Sequence, residues 1–79
     1  MLIDNRIMNL WSILMRNYTS EEDRIANAGL VMSELKRIER DIDTLVRQGG
    51  ITREKGLEYL NCLDLLKKNA EEQIAKHSS

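Results

Sequence analysis

The longest and most regular apolar period in the chain lies in residues 20–48, which read SEEDRIANAGLVMSELKRIERDIDTLVRQ. Apolar residues follow one another here at spacings of three and four, at Ala28, Val31, Leu35, Ile38, Ile42 and Leu45. Because an α-helix has about 3.6 residues per turn, this spacing places all of them on one face. Ile25, Met32 and Val46 lie one position beside that face and widen it to a stripe. The segment is therefore predicted to be a long helix that needs a partner helix to cover its stripe.

The residues before this helix favour a well-defined start. Thr19 with Glu22, or Ser20 with Asp23, has the spacing of a capping box. Acidic residues then fill the first turn, where the positive end of the helix dipole stabilises them. Gly29 inside the helix costs about 1 kcal/mol relative to alanine, so it is a candidate for the close approach of another backbone.

A second long helix is predicted after a glycine pair. Gly49 and Gly50 follow the first long helix directly, and a glycine at this position provides the left-handed conformation with which many helices end. Thr52 is a typical N-cap for a return helix over about residues 53–76. Because the connection is short, the two long helices are predicted to form an antiparallel hairpin.

The apolar stripes of the two long helices match. The stripe of the return helix consists of Tyr59, Leu60, Leu63, Leu66, Ala70 and Ile74. Reflecting the chain about the glycine pair places Ile42 beside Tyr59 and Leu60, Ile38 beside Leu63, Leu35 beside Leu66, and Val31 beside Ala70. This agreement between two independent segments supports the hairpin. A second apolar strip on the return helix lies outside the hairpin seam and needs cover from the first helix or from a partner; it consists of Leu57, Cys62 and Leu65.

The N-terminal segment is predicted to form a short amphipathic helix over about residues 3–16. Its polar residues make one narrow line, at Asn5, Asn9, Ser12 and Arg16, and apolar residues cover most of the remaining circumference. Such a helix must pack against the rest of the domain, another copy or a different protein. A membrane-surface helix is disfavoured, because the polar line is poor in lysine and arginine.

Part of this apolar surface suits a protein interface. Trp11 provides a large contact area at low entropic cost, and the methionines adapt to irregular partners. The predicted partner-binding residues are Ile7, Met8, Leu10, Trp11, Leu14, Met15, Leu30, Leu57 and Leu65. The alternative is that the residues of the first helix complete the core of a three-helix domain, with Leu30 as a candidate contact for that helix.

The sequence contains no arrangement typical of an enzyme. It has no nucleophile–base arrangement, no glycine-rich phosphate loop and no metal-ligand spacing, and the only histidine, His77, has no neighbouring cysteine or clustered carboxylates. Cys62 is the only cysteine, which excludes an internal disulfide. On a leucine-rich helix it is expected to be a small buried hydrophobe. We therefore expect no catalytic residue, no cofactor and no metal.

Charge and length limit the partners and the location. The 79 residues fit one small helical domain over residues 1–79, with a formal net charge of −1 and interleaved signs. This charge pattern disfavours nucleic-acid binding, and the long matched helices differ from the short helices of a DNA-binding helix-turn-helix. No run of about 18 apolar residues is present to span a membrane, so a cytoplasmic location is expected.

The order of these elements carries a family resemblance. A short apolar helix, a heptad-rich helix, the turn Arg47-Gln48-Gly49-Gly50 and a leucine-rich return helix resemble the small co-chaperones of type III secretion needle subunits, the YscE/EscE-like group. The similarity covers roughly residues 20–76 and the short helix ahead of them. It implies a bacterial cytosolic protein that binds a tetratricopeptide-like, helical-repeat chaperone, the pair keeping the filament subunit of the needle soluble. It assigns no individual binding residue, so the residues named above rest on apolar surface alone.

Another class of function fits the same features. A homodimeric helical regulatory protein of the phage or plasmid type would bind a transcription or replication protein, with the first helix closing a bundle of four or six helices. A structural adaptor without a chaperone role is a third hypothesis. The solution mass separates the first two, because a stable dimer favours the regulator and a monomer that forms a hetero-complex favours the co-chaperone.

Overall fold

The computed structural model describes residues 3–78, and it describes the side chains of residues 3–75. The described chain is all-α, with α1 over Ile3–Leu14, α2 over Glu21–Gln48 and α3 over Arg53–Ser78. This confirms the predicted fold class, a short N-terminal helix followed by two long helices packed antiparallel. α1 ends two residues earlier than predicted, because its last turn tightens and the Arg16 N–H donates to the Ile13 carbonyl.

Both ends of α2 are capped as the sequence predicts. Ser20 is the N-cap, and its hydroxyl accepts a hydrogen bond of 3.1 Å from the Asp23 N–H. At the other end Gly49 is left-handed, with φ of 77°. The N–H groups of Gly49 and Gly50 donate to the carbonyls of Val46 and Leu45, respectively. This pair of bonds is a Schellman motif, which ends the helix cleanly and turns the chain back.

α3 begins at a cap and then approaches α2 closely at a glycine. The Thr52 hydroxyl accepts from the Lys55 N–H at 3.1 Å, as predicted for an N-cap. A methyl group added at Gly56 would lie 2.7 Å from Cγ2 of Val46, so only glycine fits there without a shift. At Gly29 the same methyl group would meet no atom within 4 Å. The close approach of a backbone expected at Gly29 is therefore not found there, and the tight contact is at Gly56, with side chains of α2.

The core of the hairpin consists of the two predicted stripes. Leu45, Leu60 and Ile74 are partly buried at its edge. The buried members of the stripes are Ala28, Val31, Leu35, Ile38 and Ile42 on α2 and Tyr59, Leu63, Leu66 and Ala70 on α3.

α1 lies along one face of this hairpin. Its buried residues recur at spacings of four, three and four, at Ile3, Ile7, Leu10 and Leu14. The Tyr59 hydroxyl donates to the Asp4 carboxylate near the start of α1, and the Gln73 side chain donates to the Leu14 carbonyl at its end, both at 3.1 Å. α1 therefore runs parallel to α3 and antiparallel to α2.

Candidate protein-binding surface

The structure divides the nine predicted partner-binding residues into three groups by burial. Ile7, Leu10 and Leu14 are buried against the hairpin and belong to the core. In this fold they hold α1 against the hairpin. The alternative interpretation, in which the first helix completes the core of a three-helix domain, is therefore correct for these three residues. Trp11 is half-buried at the edge of the core. The remaining five are exposed: Met8 at 67%, Met15 at 69%, Leu30 at 55%, Leu57 at 56% and Leu65 at 58%.

Polar contacts hold α1 on both sides. Towards α3, Asp4 accepts the Tyr59 hydroxyl. Burial and this hydrogen bond raise the pKa of Tyr59 above its ordinary value of 10.0, so the phenol keeps its proton and remains a donor. Towards α2, the Arg6 guanidinium pairs with the Asp41 carboxylate. These long-range pairs join residues without any local pattern, and the sequence reasoning did not identify them.

The apolar side chains of α1 and of the turn that follows it directly, where solvent still reaches them, lie on the edge of the helix towards α3. At about 100° per residue, Met8, Trp11 and Met15 fall within an arc of about 60°. Asp4, the residue that bonds to Tyr59 of α3, lies on the same side of α1. The stripe formed by these three residues therefore follows the boundary between α1 and α3.

Two residues of α3 border the same boundary. Cys62 lies about 20° and Leu65 about 80° around α3 from Gln73, which bonds to the end of α1. The Asp4–Tyr59 and Leu14–Gln73 contacts join residues 55 and 59 positions apart in sequence. The same offsets of 55 and 59 place Met8 beside residues 63 to 67 of α3, and Leu65 is the middle of that range.

These residues make one continuous apolar face, which we call the α1–α3 surface: Met8, Trp11, Met15, Cys62 and Leu65. Cys62 is exposed, and the expectation that it is buried was wrong. It lies about 100° around α3 from the buried Leu63, outside the arc that α2 covers. Sequence reasoning did not assign Cys62 to the partner-binding set, although its position on the surplus strip with Leu65 pointed there.

The α1–α3 surface carries no charge. Ser12, Asn61 and Asn69 beside it are also uncharged, in a chain in which 32% of residues are Asp, Glu, Lys or Arg. Charged residues of both signs border the surface: Asp4 and Arg16 on the α1 side, and Lys55, Glu58, Lys68 and Glu72 on α3. Low charge at the centre together with Trp and Met is the composition of an interface core.

Leu57 and Leu30 lie elsewhere. Leu57 lines a shallow groove between α2 and α3, together with Ile42, Val46, Gly56 and Leu60 and the charged Glu39, Asp43 and Arg53. Asp41 faces α1, because it pairs with Arg6. Glu39 and Asp43 are each two positions from Asp41, which is about 200° around α2, so this groove lies on the side of the hairpin away from α1. Leu30 is exposed on α2 and lies outside the core, so it is not the contact for α1 that the sequence suggested.

The described residues contain no group of three or more His, Cys, Asp or Glu side chains that could hold a metal ion. The His77 side chain lies outside the described residues. Among the described helices none is long and apolar enough to cross a membrane. Comparison with protein-family models, with curated proteins and with solved structures gives no match for this chain.

Proposed function

We propose that this protein acts by binding another protein through the α1–α3 surface, without catalysis, as a small co-chaperone. The observation that carries the proposal is the uncharged apolar face that α1 and α3 form together. Three of its side chains, Met8, Met15 and Leu65, are more than half exposed to solvent. Exposing so much apolar area is unfavourable for a free chain, and a bound protein removes it from water.

The buried side of α1 supports this role. Ile7, Leu10 and Leu14 anchor the helix to the hairpin, and the contacts of Asp4 and Arg6 hold it at both edges. These contacts fix the position of the helix that carries Trp11. A preorganised surface binds more tightly, because less conformational freedom is lost on association.

The partner that we propose follows the family resemblance. It is a tetratricopeptide-like, helical-repeat chaperone whose apolar groove takes the α1–α3 surface, and the pair then keeps a filament subunit of a type III secretion needle soluble. A filament subunit exposes an amphipathic helix that would otherwise self-associate, and helix-in-groove packing covers such a helix. The complex stabilises its members by mass action.

The test is coexpression of the tagged chain with a helical-repeat chaperone and a filament subunit of a type III secretion needle, followed by size-exclusion chromatography with light scattering. We expect a hetero-complex of defined stoichiometry. Trp11→Asp and Leu65→Asp should each weaken it at least about tenfold, because each places a charge in the centre of an apolar interface.

Leu30→Asp is the matched control: Leu30 was among the predicted partner-binding residues, but it lies on α2 outside the α1–α3 surface that this proposal uses, and its exposure is similar to that of Leu65. It should bind like the unmodified chain. Circular dichroism must show that all three variants keep their helicity. Binding of both Trp11→Asp and Leu65→Asp at full strength would refute the proposed surface.

A further inference from the structure

We infer that a recess beside the end of α1 binds a carboxylate, which the bound protein supplies from an acidic side chain. The recess has a volume of about 360 Å³ and lies where the end of α1, the first turn of α2 and α3 meet. Two arginines line it, Arg16 and Arg24. The inference rests on the proposed function, because it states the chemistry of the partner at one end of the α1–α3 surface.

Arg24 occupies a position on α2 at which the apolar stripe calls for an apolar residue. The stripe recurs at spacings of three and four, and Arg24 lies four residues before Ala28, its first member. The Arg24 side chain is therefore only 32% exposed, compared with 76% for Arg37 on the same helix. Its Nε is buried and has no hydrogen-bond partner among the described residues. Buried donors are normally paired, so the chain alone leaves the hydrogen bonding of this guanidinium incomplete.

The residues around Arg24 do not supply the missing acceptor. The Arg24 Nη2 lies 3.7 Å from the nearest Glu21 carboxylate oxygen, which is too far for a hydrogen bond. None of the described residues that line the recess is acidic. Arg16 brings a second positive charge to the same recess, and an anion between two like charges offsets their repulsion.

Hydrogen bonds within the chain fix the walls of the recess. The Tyr18 hydroxyl donates to the Ile13 carbonyl at 2.7 Å. On the α3 side, the Gln73 amide donates to the Leu14 carbonyl at 3.1 Å. Because these donors are already used, the two arginines are the groups that are left to bind an anion. A site with fixed walls loses little conformational freedom when it binds.

A carboxylate suits this recess better than a phosphate group. A planar carboxylate accepts two parallel N–H groups from one guanidinium. The first turn of α2, which adjoins the recess, carries Glu21, Glu22 and Asp23. These residues repel a phosphate group more strongly than a carboxylate, because the phosphate group carries more negative charge.

The place of the recess in the fold makes this carboxylate part of a protein partner. Met15 lines the recess and also belongs to the α1–α3 surface. A protein that covers the surface therefore reaches the recess, and an acidic side chain beside its own apolar patch pairs with the arginines. Charge pairs of this kind at the rim of an interface select the partner and fix its orientation.

The first test uses the pure chain, with sodium acetate and inorganic phosphate as probes at constant ionic strength. The Nε–H resonance of Arg24 in ¹⁵N NMR should shift saturably with acetate, with a Kd on the order of 10 mM, and phosphate should bind more weakly. Arg16→Gln should weaken acetate binding at least about threefold. The matched control is Arg37→Gln, which should change nothing, because Arg37 also follows a glutamate by three residues but lies far along α2. No saturable shift with acetate, or tighter binding of phosphate, would overturn the inference.

The second test measures the hetero-complex with the coexpressed partners. Arg16→Gln and Arg24→Gln should each weaken it about tenfold and make its affinity less sensitive to salt, whereas Arg37→Gln should do neither. A complex that both variants form at full strength would overturn the inference and leave the proposed function intact. A chain that binds acetate but forms no hetero-complex would refute the proposed partners and support the carboxylate site.

Discussion

Two glycines inside the long helices offer a matched test of the packing. Replacing either Gly29 or Gly56 with alanine restores helix propensity, which is worth about 0.5–1 kcal/mol in a helix interior. The surroundings differ: the new methyl group meets no atom within 4 Å at Gly29 but lies 2.7 Å from Cγ2 of Val46 at Gly56. Valine has little rotamer freedom with which to move away. Overpacking of this kind costs about 1–3 kcal/mol.

The same substitution should therefore change stability in opposite directions. We expect Gly29→Ala to raise the free energy of unfolding by about 0.5–1 kcal/mol and Gly56→Ala to lower it by about 1 kcal/mol. For a chain of this length, about 1 kcal/mol corresponds to a change in Tm of about 4–8 °C. Thermal and urea unfolding followed by circular dichroism would measure both variants.

A double variant tests the cause of the loss. Val46→Ala removes the Cγ2 atom that the new methyl group would meet, so Gly56→Ala should become neutral or stabilising when it is added to Val46→Ala. This sign reversal is a coupling between two residues in contact. If Gly56→Ala raised Tm as much as Gly29→Ala, or if Val46→Ala left its effect unchanged, the close approach of α3 to α2 at this glycine would be refuted.

Two further predictions concern the cap and the buried phenol. Gly49→Ala should lower the free energy of unfolding by about 1 kcal/mol, because φ is 77° at this position. Gly49→Asn should lower it less, because asparagine tolerates the left-handed conformation. Equal losses of stability in urea unfolding would contradict the left-handed cap. Burial and the bond to Asp4 raise the pKa of Tyr59, so the folded protein holds the phenol proton more tightly than the unfolded chain does. The stability that this proton contributes is complete below pH 10 and is lost as the pH rises through the higher pKa of the folded state. The free energy of unfolding in urea, measured as the pH rises above 10, should fall more steeply for the unmodified chain than for Tyr59→Phe, and parallel curves would contradict the shifted pKa.

The sequence predicted the hairpin well, because the features that specify it are local or repeat regularly. The caps at Ser20 and Thr52 and the glycine end at Gly49 depend on a few neighbouring residues. The pairing of the two long helices follows from their two apolar stripes and the short turn between them. Because the turn is short, it fixes how the stripes align. Ile42 and Leu60 line the same groove, as the reflection about the glycine pair predicted.

The candidate surface was harder to predict. The first helix is apolar around most of its circumference, so its sequence does not distinguish the face that packs from the face that stays exposed. The partner-binding set therefore included Ile7, Leu10 and Leu14, which the structure places in the core. Cys62 was expected to be buried although it lies outside the hairpin seam, because the sequence left open whether α1 would cover that strip.

By itself, the sequence determined three helices, their order, and the antiparallel pairing of the two long ones, because helix formation and stripe matching depend on spacing along the chain. Only the tertiary structure decided where α1 lies and which of its residues face solvent. That choice depends on contacts between residues far apart in sequence, such as Asp4 with Tyr59 and Arg6 with Asp41. The α1–α3 surface exists only once these contacts align two helices side by side, since neither helix carries the whole apolar face alone.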